Sequence, residues 1–568
     1  MKKNVLLPVF LTFACLLCSC GGNSSLAFNS NGSDESGSSE SNMDPDQVVL
    51  KPDEYDSNGR LLISFFGIDL DDLQSPTKDT KEIVDYIQNK FNVTFTYING
   101  AASSWDTILS QNIGIDDVPD VFFHDAYEPS YSSWLNDHYL FNYGRYLDQY
   151  PNLNAAFNRF PIQKLKTYLG GELYSFPLVC DETVDNDVIN AHSIYYRRDW
   201  YNSLVKKGFR PSSGRELKDP EDSDFSYLNW YDLLDGFTNG DPDGNGIKDT
   251  YGYIMTKEGG LYWWYPLLSM FNVQPNGWHL NSATGEYEPD NSSSAMKEAL
   301  DWISDMFDKG FINSNYATTC TQSQMKNEFV NGQGGMMVFN SNYGQARGIY
   351  DLMESSRNGN DMIDVVRGLP IPTNKYGNKT MFGHKNNYGY RAICNDLSVK
   401  KKKVILSIMD WMLSDEGKTV MDYGLEGVHY DLVSGKIVSK LGKDSDGYDK
   451  TLYSTDVAPG IYRLHGLVSW STPLQEEYKY QDVHEQMINS FDKNDLVLDP
   501  LAYANAGKDF SITKSTLEDM AETAFKNIVS KTTSDNRNST WNTFVKKYNT
   551  TGSSYITAMN DSASEWTE

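Results

Sequence analysis

The feature that most constrains the fold is a regular alternation of strand and helix patterns near the start of the folded region. Leu61–Gly67 is an almost continuous apolar run, typical of a strand buried on both faces. Lys81–Phe91 has apolar residues at helical spacing, and Val93–Ile98 alternates like a strand. Trp105–Asn112 and Val118–Phe123 repeat the helix and the strand. This alternation predicts a parallel α/β layer.

The same kinds of segment return further along the chain. Ile194–Tyr196 and Gly334–Phe339 are predicted strands, and Ala295–Phe307 and Val404–Leu413 are predicted amphipathic helices. Ligands of α/β sheets bind in crevices at the ends of strands. The predicted fold class is therefore α/β, with two lobes that face each other across a ligand cleft.

The N-terminus has the features of an export signal followed by a tether. Val5–Cys18 is apolar but shorter than the roughly 20 residues that span a bilayer, as in a signal-peptide core. Leu17, Ser19 and Cys20 resemble a bacterial lipobox, in which the signal is cut before a cysteine that is then lipidated. We expect a signal peptide at 1–19, a lipid on Cys20 and a polar, flexible tether within 20–55. The alternative is an ordinary cleaved signal.

Such a lipid would hold the protein on the extracellular face of the cell membrane of a bacterium, and we expect a Gram-positive one. The net charge of −28 argues against nucleic acid as a partner, since nucleic-acid binding needs basic surface. It also argues against a polyanionic ligand, although a local basic pocket would override the net charge. Cys180, Cys320 and Cys394 are widely spaced and odd in number, so we expect free thiols.

One short segment has the spacing of a calcium loop. Oxygen-bearing side chains occur at positions 1, 3, 5 and 9, Gly246 stands at position 6, and position 7 would offer its backbone carbonyl. Position 12 is Gly252 instead of the usual glutamate, which excludes a complete EF-hand. We predict a structural Ca²⁺ site without a catalytic role; the alternative is an Asp/Gly/Asn turn without metal. The predicted ligands are Asp241, Asp243, Asn245, Ile247 and Asp249.

Between Leu61 and about Tyr430 the chain resembles the extracellular solute-binding proteins of family 1, the carbohydrate-binding components of ABC importers. Each matching segment is weak alone, and the weight lies in their order. In chain order they are Leu61–Gly67, Pro119–Asp125, Asp148–Leu153, Gly171–Pro177, Tyr195–Trp200, Phe329–Met336, Asp410–Gly417 and Tyr423–Gly427. The resemblance implies two lobes that close on a sugar. We assign 56–187 and 374–427 to the first lobe, and 188–373 and 428–568 to the second.

Ligand contacts are expected just after strands and on aromatic loops, because aromatic rings stack on sugar faces while carboxylates bind the hydroxyls. Asp125 also belongs to a His-Asp pair that resembles a ligand-contacting stretch of the family. For each aromatic the alternative is a place in the hydrophobic core. The candidates are Asp69, Asp125, Tyr127, Trp263, Trp264, Trp278 and Trp470.

Together these observations predict a lipid-anchored binding protein, not an enzyme, that captures an oligosaccharide for the membrane permease subunits of an ABC importer. We expect a monomer, since lobe closure needs free surfaces. A glycoside hydrolase is one alternative, and it would need two carboxylates across the scissile bond. A binder of a non-sugar ligand such as a peptide is another, and a surface adhesin is a further one.

Overall fold

The computed structural model describes residues 54–101, 104–115, 117–124, 129–181, 187–189, 192–357, 359–471 and 477–567. The predicted signal, the lipid site at Cys20 and most of the predicted tether lie outside these residues, as do Asp125 and Tyr127. In the described part of the chain, no helix is long and apolar enough to cross a membrane.

Strands and helices are numbered in chain order. The strands are β1 Leu61–Ile68, β2 Val93–Gly100, β3 Val121–His124, β4 Phe176–Val179, β5 Val188–Ile189, β6 His192–Arg197, β7 Trp278–Asn281, β8 Glu286–Pro289, β9 Met336–Asn340, β10 Val366–Gly368, β11 Met381–Phe382, β12 His384–Lys385, β13 Asn387–Ile393, β14 Tyr430–Val433, β15 Lys436–Ser439 and β16 Leu496–Val497. The helices are α1 Asp71–Gln74, α2 Lys78–Phe91, α3 Trp105–Gly114, α4 Pro129–Asn136, α5 Pro151–Phe157, α6 Ile162–Tyr168, α7 Arg198–Lys207, α8 Tyr227–Asn239, α9 Tyr265–Ser269, α10 Ser294–Asp308, α11 Gln322–Val330, α12 Tyr343–Met353, α13 Met362–Val365, α14 Val399–Met412, α15 Asp415–Tyr423, α16 Pro459–His465, α17 Gln481–Ile488, α18 Ser511–Ser530 and α19 Ser534–Ser564.

The first lobe is built on a five-stranded sheet in the order β2-β1-β3-β13-β4. Strand β1 runs parallel to both β2 and β3, as the sequence pattern predicts. Strand β13 returns late in the chain and lies antiparallel between β3 and β4. The parallel part of the sheet is therefore confirmed, and its carboxyl edge lies where β1 and β3 end.

Local signals explain why the first helix of this layer forms where it does. The side chain of Thr77 caps α2 by accepting a hydrogen bond from the backbone N–H of Thr80. Ile83 and Ile87, one turn apart, are fully buried against the sheet. Asn92 ends the helix in the left-handed conformation and turns the chain into β2.

The second lobe differs from the predicted parallel layer. Its largest sheet among the described residues has three strands in the order β10-β6-β9, and β6 is antiparallel to both neighbours. Parallel pairing joins only the short strands β11 and β16 among the described strands of this lobe, besides isolated bridges such as Tyr251 with Gly334. Long helices supply most of the core, including α10, α18 and α19, which pack together. The predicted helix Ala295–Phe307 is confirmed as α10.

The division between the two hydrophobic cores corrects one predicted lobe boundary. Buried residues between Leu452 and Val468 pack in the first core, with the sheet residues and α14. The sequence assigned 428–568 as a whole to the second lobe, because landmarks are scarce after residue 430. Helix α16 nevertheless packs on α1 and α2 of the first lobe, whereas α17, α18 and α19 contribute to the second core.

The chain crosses between the cores along neighbouring segments. Strand β5, which leaves the first lobe, pairs antiparallel with β12, which returns to it. The buried side chain of Asn386 ties the two crossings together, since it accepts from the N–H of Asp181 and donates to its carbonyl, both at 2.9 Å. These paired crossings are where a change of lobe orientation would have to be absorbed.

Candidate functional site

A cavity of about 390 Å³ lies beside the crossing segments, on the side of the second lobe. Four stretches of chain form its wall: the loop at 259–265, the turn at 274–276, the crossing segment 382–384, and one face of α18. Cavities of roughly 300–1,000 Å³ commonly hold small-molecule ligands. The wall combines aromatic rings with polar groups, which is a suitable lining for a hydroxyl-rich ligand.

The loop at 259–265 needs its two glycines. Both adopt positive φ, 73° at Gly259 and 60° at Gly260. A Cβ at Gly259 would stand 2.7 Å from Nε1 of Trp263, and one at Gly260 would stand 2.6 Å from a carboxylate oxygen of Glu522. The glycines thus allow the loop to pass over a tryptophan on one side and over α18 on the other.

The aromatic residues that this loop presents to the cavity are tyrosines. Tyr262 is 44% exposed and lines the cavity together with Tyr265. The Tyr262 ring lies 5.2 Å from the ring of His384, at an angle of 35°. The sequence missed both tyrosines, although they stand in the same aromatic run as the predicted tryptophans.

The predicted tryptophans of the loop lie behind this wall. Trp263 is 8% exposed and its ring is nearly parallel to that of Phe339, 6.1 Å away. Trp264 is fully buried, with its ring edge toward Tyr316. In this conformation neither ring offers an open face, because the turn at Tyr262–Trp264 directs both into the second core.

Two histidines stand beside the cavity, and the sequence missed both. His384 lines it directly, and the ring of His192 lies 5.3 Å from that of His384. Burial lowers the pKa of His384 to about 4 and that of His192 to about 3, so both rings are neutral at pH 7. Nε2 of His384 is buried and has no hydrogen-bond partner among the described residues. Their positions on crossing segments are the signal that could have marked them.

Helix α18 gives the cavity an acidic wall. Glu518, Asp519 and Glu522 all line it. Burial raises the pKa of the Glu518 carboxyl. Glu522 accepts a hydrogen bond from Nζ of Lys526 at 2.5 Å. The sequence analysis did not predict this wall, because α18 lies beyond the segments that resemble the family.

In the first lobe the structure connects two predicted residues through a third. Asp69 follows β1 with a φ of 53°, and its carboxylate lies 3.5 Å from the guanidinium of Arg463. The same guanidinium lies 5.9 Å from the ring centre of Trp470. The backbone N–H of Trp470 donates to the carbonyl of Val179, at the point where the chain leaves the first sheet. Asp69 and Trp470 thus lie beside the same arginine, which the sequence analysis did not single out, and their contact with a ligand stays a prediction.

The remaining predicted contact, Trp278, is part of the packing of the second lobe. It is 6% exposed, and its ring lies 6.1 Å from that of Tyr555 on α19. Its backbone N–H donates to the carboxyl of Asp499, which also accepts from the side chain of Gln274. Since Gln274 lines the cavity, Trp278 supports the wall from behind.

The predicted calcium loop follows α8 and folds back on itself. Gly246 has a φ of 76°, and its N–H donates to Asp241. The Asn245 amide contacts the carboxylates of both Asp243, at 2.7 Å, and Asp249, at 3.3 Å. The loop therefore gathers its oxygen-bearing side chains around one asparagine.

One positively charged side chain of the protein, that of Lys207, is paired with a carboxylate of the loop. Nζ of Lys207 lies 3.0 Å from the Asp241 carboxylate and lowers its pKa. Partial burial and the neighbouring carboxylates raise the pKa of Asp243. Hard oxygen donors of this kind fit Ca²⁺ in chemistry. Among the described residues, three candidate ligand atoms lie within 4.8 Å of one another at Asp79, Glu82 and His429, whereas the three aspartates of the loop stand further apart.

No family model matches the chain. The chain is 22% identical over 395 residues to the polygalacturonan/rhamnogalacturonan-binding protein YtcQ of Bacillus subtilis, covering 68% of this chain and 69% of that protein. It is 28% identical to lipoprotein LipO of the same species, over 59% of each. It is 26% identical to the fructooligosaccharide ABC transporter substrate-binding protein FusA of Streptococcus pneumoniae, over 42% of this chain and 43% of that protein.

Solved structures show the same fold. An HMO-binding, ABC-transporter-associated solute-binding protein of Bifidobacterium longum infantis matches with a TM-score of 0.64 and 14% identity, over 90% of this chain and all of that one. FusA with kestose matches with a TM-score of 0.57 and 16% identity, over 89% and 99%. The alginate-binding protein AlgQ2, solved without its calcium ion, matches with 0.57 and 15%, over 89% and 98%. The chain is thus a homologue of the substrate-binding proteins of ABC transporters and has their two-lobed fold.

Proposed function

We propose that this protein captures an oligosaccharide and delivers it to the permease subunits of an ABC importer. The observation that carries the proposal is the aromatic and acidic cavity beside the paired chain crossings. Two relatives are named for binding carbohydrate, one acidic and one neutral, which supports the ligand class and leaves the kind of sugar open.

Each lobe would contribute its own contacts. On the second lobe, Tyr262 offers a ring face, and the carboxylates of α18 can accept hydrogen bonds from hydroxyl groups. On the first lobe, Asp69 and Trp470 are the described candidates. Asp125 and Tyr127 come directly after β3 in the sequence and remain candidates from the sequence alone. Closure around the crossings would bring the two surfaces onto the ligand.

The cavity geometry favours binding over hydrolysis. A glycoside hydrolase places two carboxyl groups on opposite sides of the scissile bond. Among the described residues that line this cavity, the carboxylates all come from α18 and therefore stand on one wall. We accordingly propose a binding protein without catalytic residues.

The anchor and the partner are part of the proposal. Cys20 would carry a lipid on the extracellular face of the membrane, and the polar tether would let a monomeric body reach the permease. That one relative is named a lipoprotein supports this placement.

We also propose that the loop Asp241–Asp249 binds Ca²⁺ for a structural purpose. Carboxylates of Asp241, Asp243 and Asp249, the amide of Asn245 and the carbonyl of Ile247 would hold the ion. Its charge would offset the partial burial and the neighbouring carboxylates, which together raise the pKa of Asp243. Of the proteins with the same fold, AlgQ2 has been solved without its calcium ion and FusA as an EF-hand mutant, which supports the proposal.

The test is a titration of the soluble mature protein with maltotetraose, nystose and oligogalacturonides in calcium, followed by intrinsic fluorescence and calorimetry. Trp263 lies next to Tyr262, with ring centres 5.2 Å apart, and is well placed to report binding. Saturable binding of a sugar with no hydrolysis products supports the proposal. Hydrolysis products would favour the enzyme alternative, and binding of peptides alone would favour the non-sugar one.

A further inference from the structure

The carboxyl groups of the cavity wall outnumber the positively charged side chains that pair with them. Glu518, Asp519 and Glu522 contribute three carboxyl groups from one helix face. Among the described lining residues none is a lysine or an arginine. Lys526 pairs with Glu522, and Nζ of Lys514 lies 4.0 Å from a carboxylate oxygen of Glu518. Neither lysine lines the cavity, so the ligand would meet the carboxyl groups directly.

The other titratable group of the wall adds no positive charge at pH 7. His384 is neutral there because burial lowers its pKa to about 4. His192, behind it, is neutral for the same reason. Both histidines would have to be surrounded by water or by carboxylates to become cations, and their rings instead contact each other and Tyr262.

The internal stretches that the structure does not describe contain no lysine, arginine or histidine in their sequences. They are 102–103, 116, 125–128, 182–186, 190–191, 358 and 472–476. Whichever of them contacts the ligand, none can supply a cation for an acidic sugar.

Two buried polar atoms in or directly behind the cavity wall have no hydrogen-bond partner among the described residues. Trp263 is more than nine-tenths buried, and its indole Nε1 has no hydrogen-bond partner among the described residues. This nitrogen lies against Gly259, which belongs to the cavity wall. Nε2 of His384 is also buried and has no hydrogen-bond partner among the described residues. Buried polar atoms without partners are costly, which indicates that a polar ligand or ordered water completes the site.

We infer that this cavity selects uncharged oligosaccharides and excludes uronic-acid sugars, with Glu518, Asp519 and Glu522 as the residues that set the selectivity. The inference rests on the proposed function. Carboxylates accept strong hydrogen bonds from sugar hydroxyls, and they repel a sugar carboxylate in the same cavity. A site for uronates would need an arginine or a lysine instead. This selectivity concerns the cavity itself and does not follow from the net charge of the protein.

The experiment compares each neutral sugar with its own acidic form. Maltotetraose, nystose and α-1,4-galactotetraose are titrated by calorimetry, and so are the same sugars with their primary hydroxyls oxidised to carboxylates. The pairs share length, linkage and ring, so the difference within a pair reports charge. The holoprotein is used with calcium present.

The inference predicts that a neutral sugar binds at least tenfold more tightly than its oxidised form. An oxidised sugar that binds as tightly as its neutral parent, or more tightly, overturns the inference and leaves the proposed function standing. If no sugar of either form binds to the folded protein, the proposed function fails and the inference fails with it.

Variants then assign the selectivity to the helix face. Glu518→Gln, Asp519→Asn and Glu522→Gln, singly and together, are expected to improve binding of the oxidised form by roughly fivefold per carboxylate, as for a unit charge several ångströms away in a partly solvated cavity. Glu286→Gln removes an exposed carboxylate that does not line the cavity and serves as the control. Equal gains in the control and in the cavity variants would show that overall charge sets the selectivity and would overturn the assignment.

Discussion

The calcium loop and the ligand cavity are assembled in opposite ways. The loop takes all its candidate ligands from Asp241–Asp249, so the spacing of residues along the chain nearly defines it. The cavity takes its wall from four stretches between 259 and 522, which the fold alone brings together. A site of the first kind can be found by pattern, whereas a site of the second kind depends on packing that no local pattern records.

The largest effect is expected when two of the proposed calcium ligands are removed from the loop. Asp243→Asn combined with Asp249→Asn is expected to weaken calcium binding by about a thousandfold, roughly 4 kcal/mol, because two of the charged ligands are lost. Thermal unfolding with calcium and with chelator measures the effect, since a ligand of the native state raises the melting temperature. Asp535→Asn with Asp561→Asn is the control pair on the exposed face of α19. Unchanged calcium stabilisation in the loop variant would contradict the proposed site.

The free energy of unfolding should depend on pH through Asp499, which supports the cavity wall from behind, and not through the calcium loop. Burial raises the pKa of Asp499 to about 7 from an ordinary 3.8, so the fold favours its protonated form. The stability that this group contributes is present below about pH 4 and is lost as the pH rises through 7. Asp499→Asn should remove this loss, which amounts to roughly 2–4 kcal/mol because a tenfold change in proton affinity is about 1.4 kcal/mol.

Denaturant unfolding of the wild type and of Asp499→Asn between pH 4 and pH 8 measures this difference. The variant should gain on the wild type as the pH rises. Parallel stability curves for the two proteins would show that Asp499 titrates normally. Calcium affinity at fixed pH is the internal control, because the loop is predicted to be unaffected.

The exposed ring of Tyr262 in the cavity loop should contribute to the affinity for the oligosaccharide and leave the affinity for calcium unchanged. Tyr262→Ala is expected to weaken oligosaccharide binding about tenfold, or 1.4 kcal/mol, through the loss of a stacking face. Tyr376→Ala removes a similarly exposed tyrosine, 49% against 44%, that does not line the cavity. Calorimetry of both variants separates the two effects. Equal affinities for the two variants would remove Tyr262 from the site.

The smallest expected effect is an increase in the calcium affinity of the loop. Lys207 pairs with Asp241 and competes with a cation for that carboxylate. Lys207→Gln should therefore strengthen calcium binding severalfold, since an exposed ion pair contributes only about 0–1 kcal/mol. Calcium titration of the variant measures this, with sugar affinity expected to stay the same. Weaker calcium binding would show that Lys207 supports the loop.

Much of the first lobe could be predicted, because its signals are local. The strand Leu61–Gly67 and the helix after it are confirmed as β1 and α2, since continuous and periodic apolar patterns fix them. The second lobe was harder. Its central strand β6 was found, but its antiparallel pairing was not, because the direction of a neighbouring strand is set by long-range topology.

The cavity shows the same limit at the level of single residues. The aromatic run at 262–265 marked the loop that lines the cavity, but which rings face outward depends on the turn at Tyr262–Trp264. Trp264 and Tyr262 are both aromatic and polar at one edge, so composition cannot separate them. The acidic wall of α18 and the crossing residue His384 could not be predicted, because only the fold places them beside that loop.

The most direct test of the central claim is hydrogen–deuterium exchange of the protein with and without the oligosaccharide that binds it best. With the oligosaccharide bound, we expect slower exchange in peptides that cover 259–265 and 382–384. Exchange in the loop 239–250 should not change at constant calcium. Protection confined to other segments, or no protection at saturation, would contradict the placement of the ligand in this cavity.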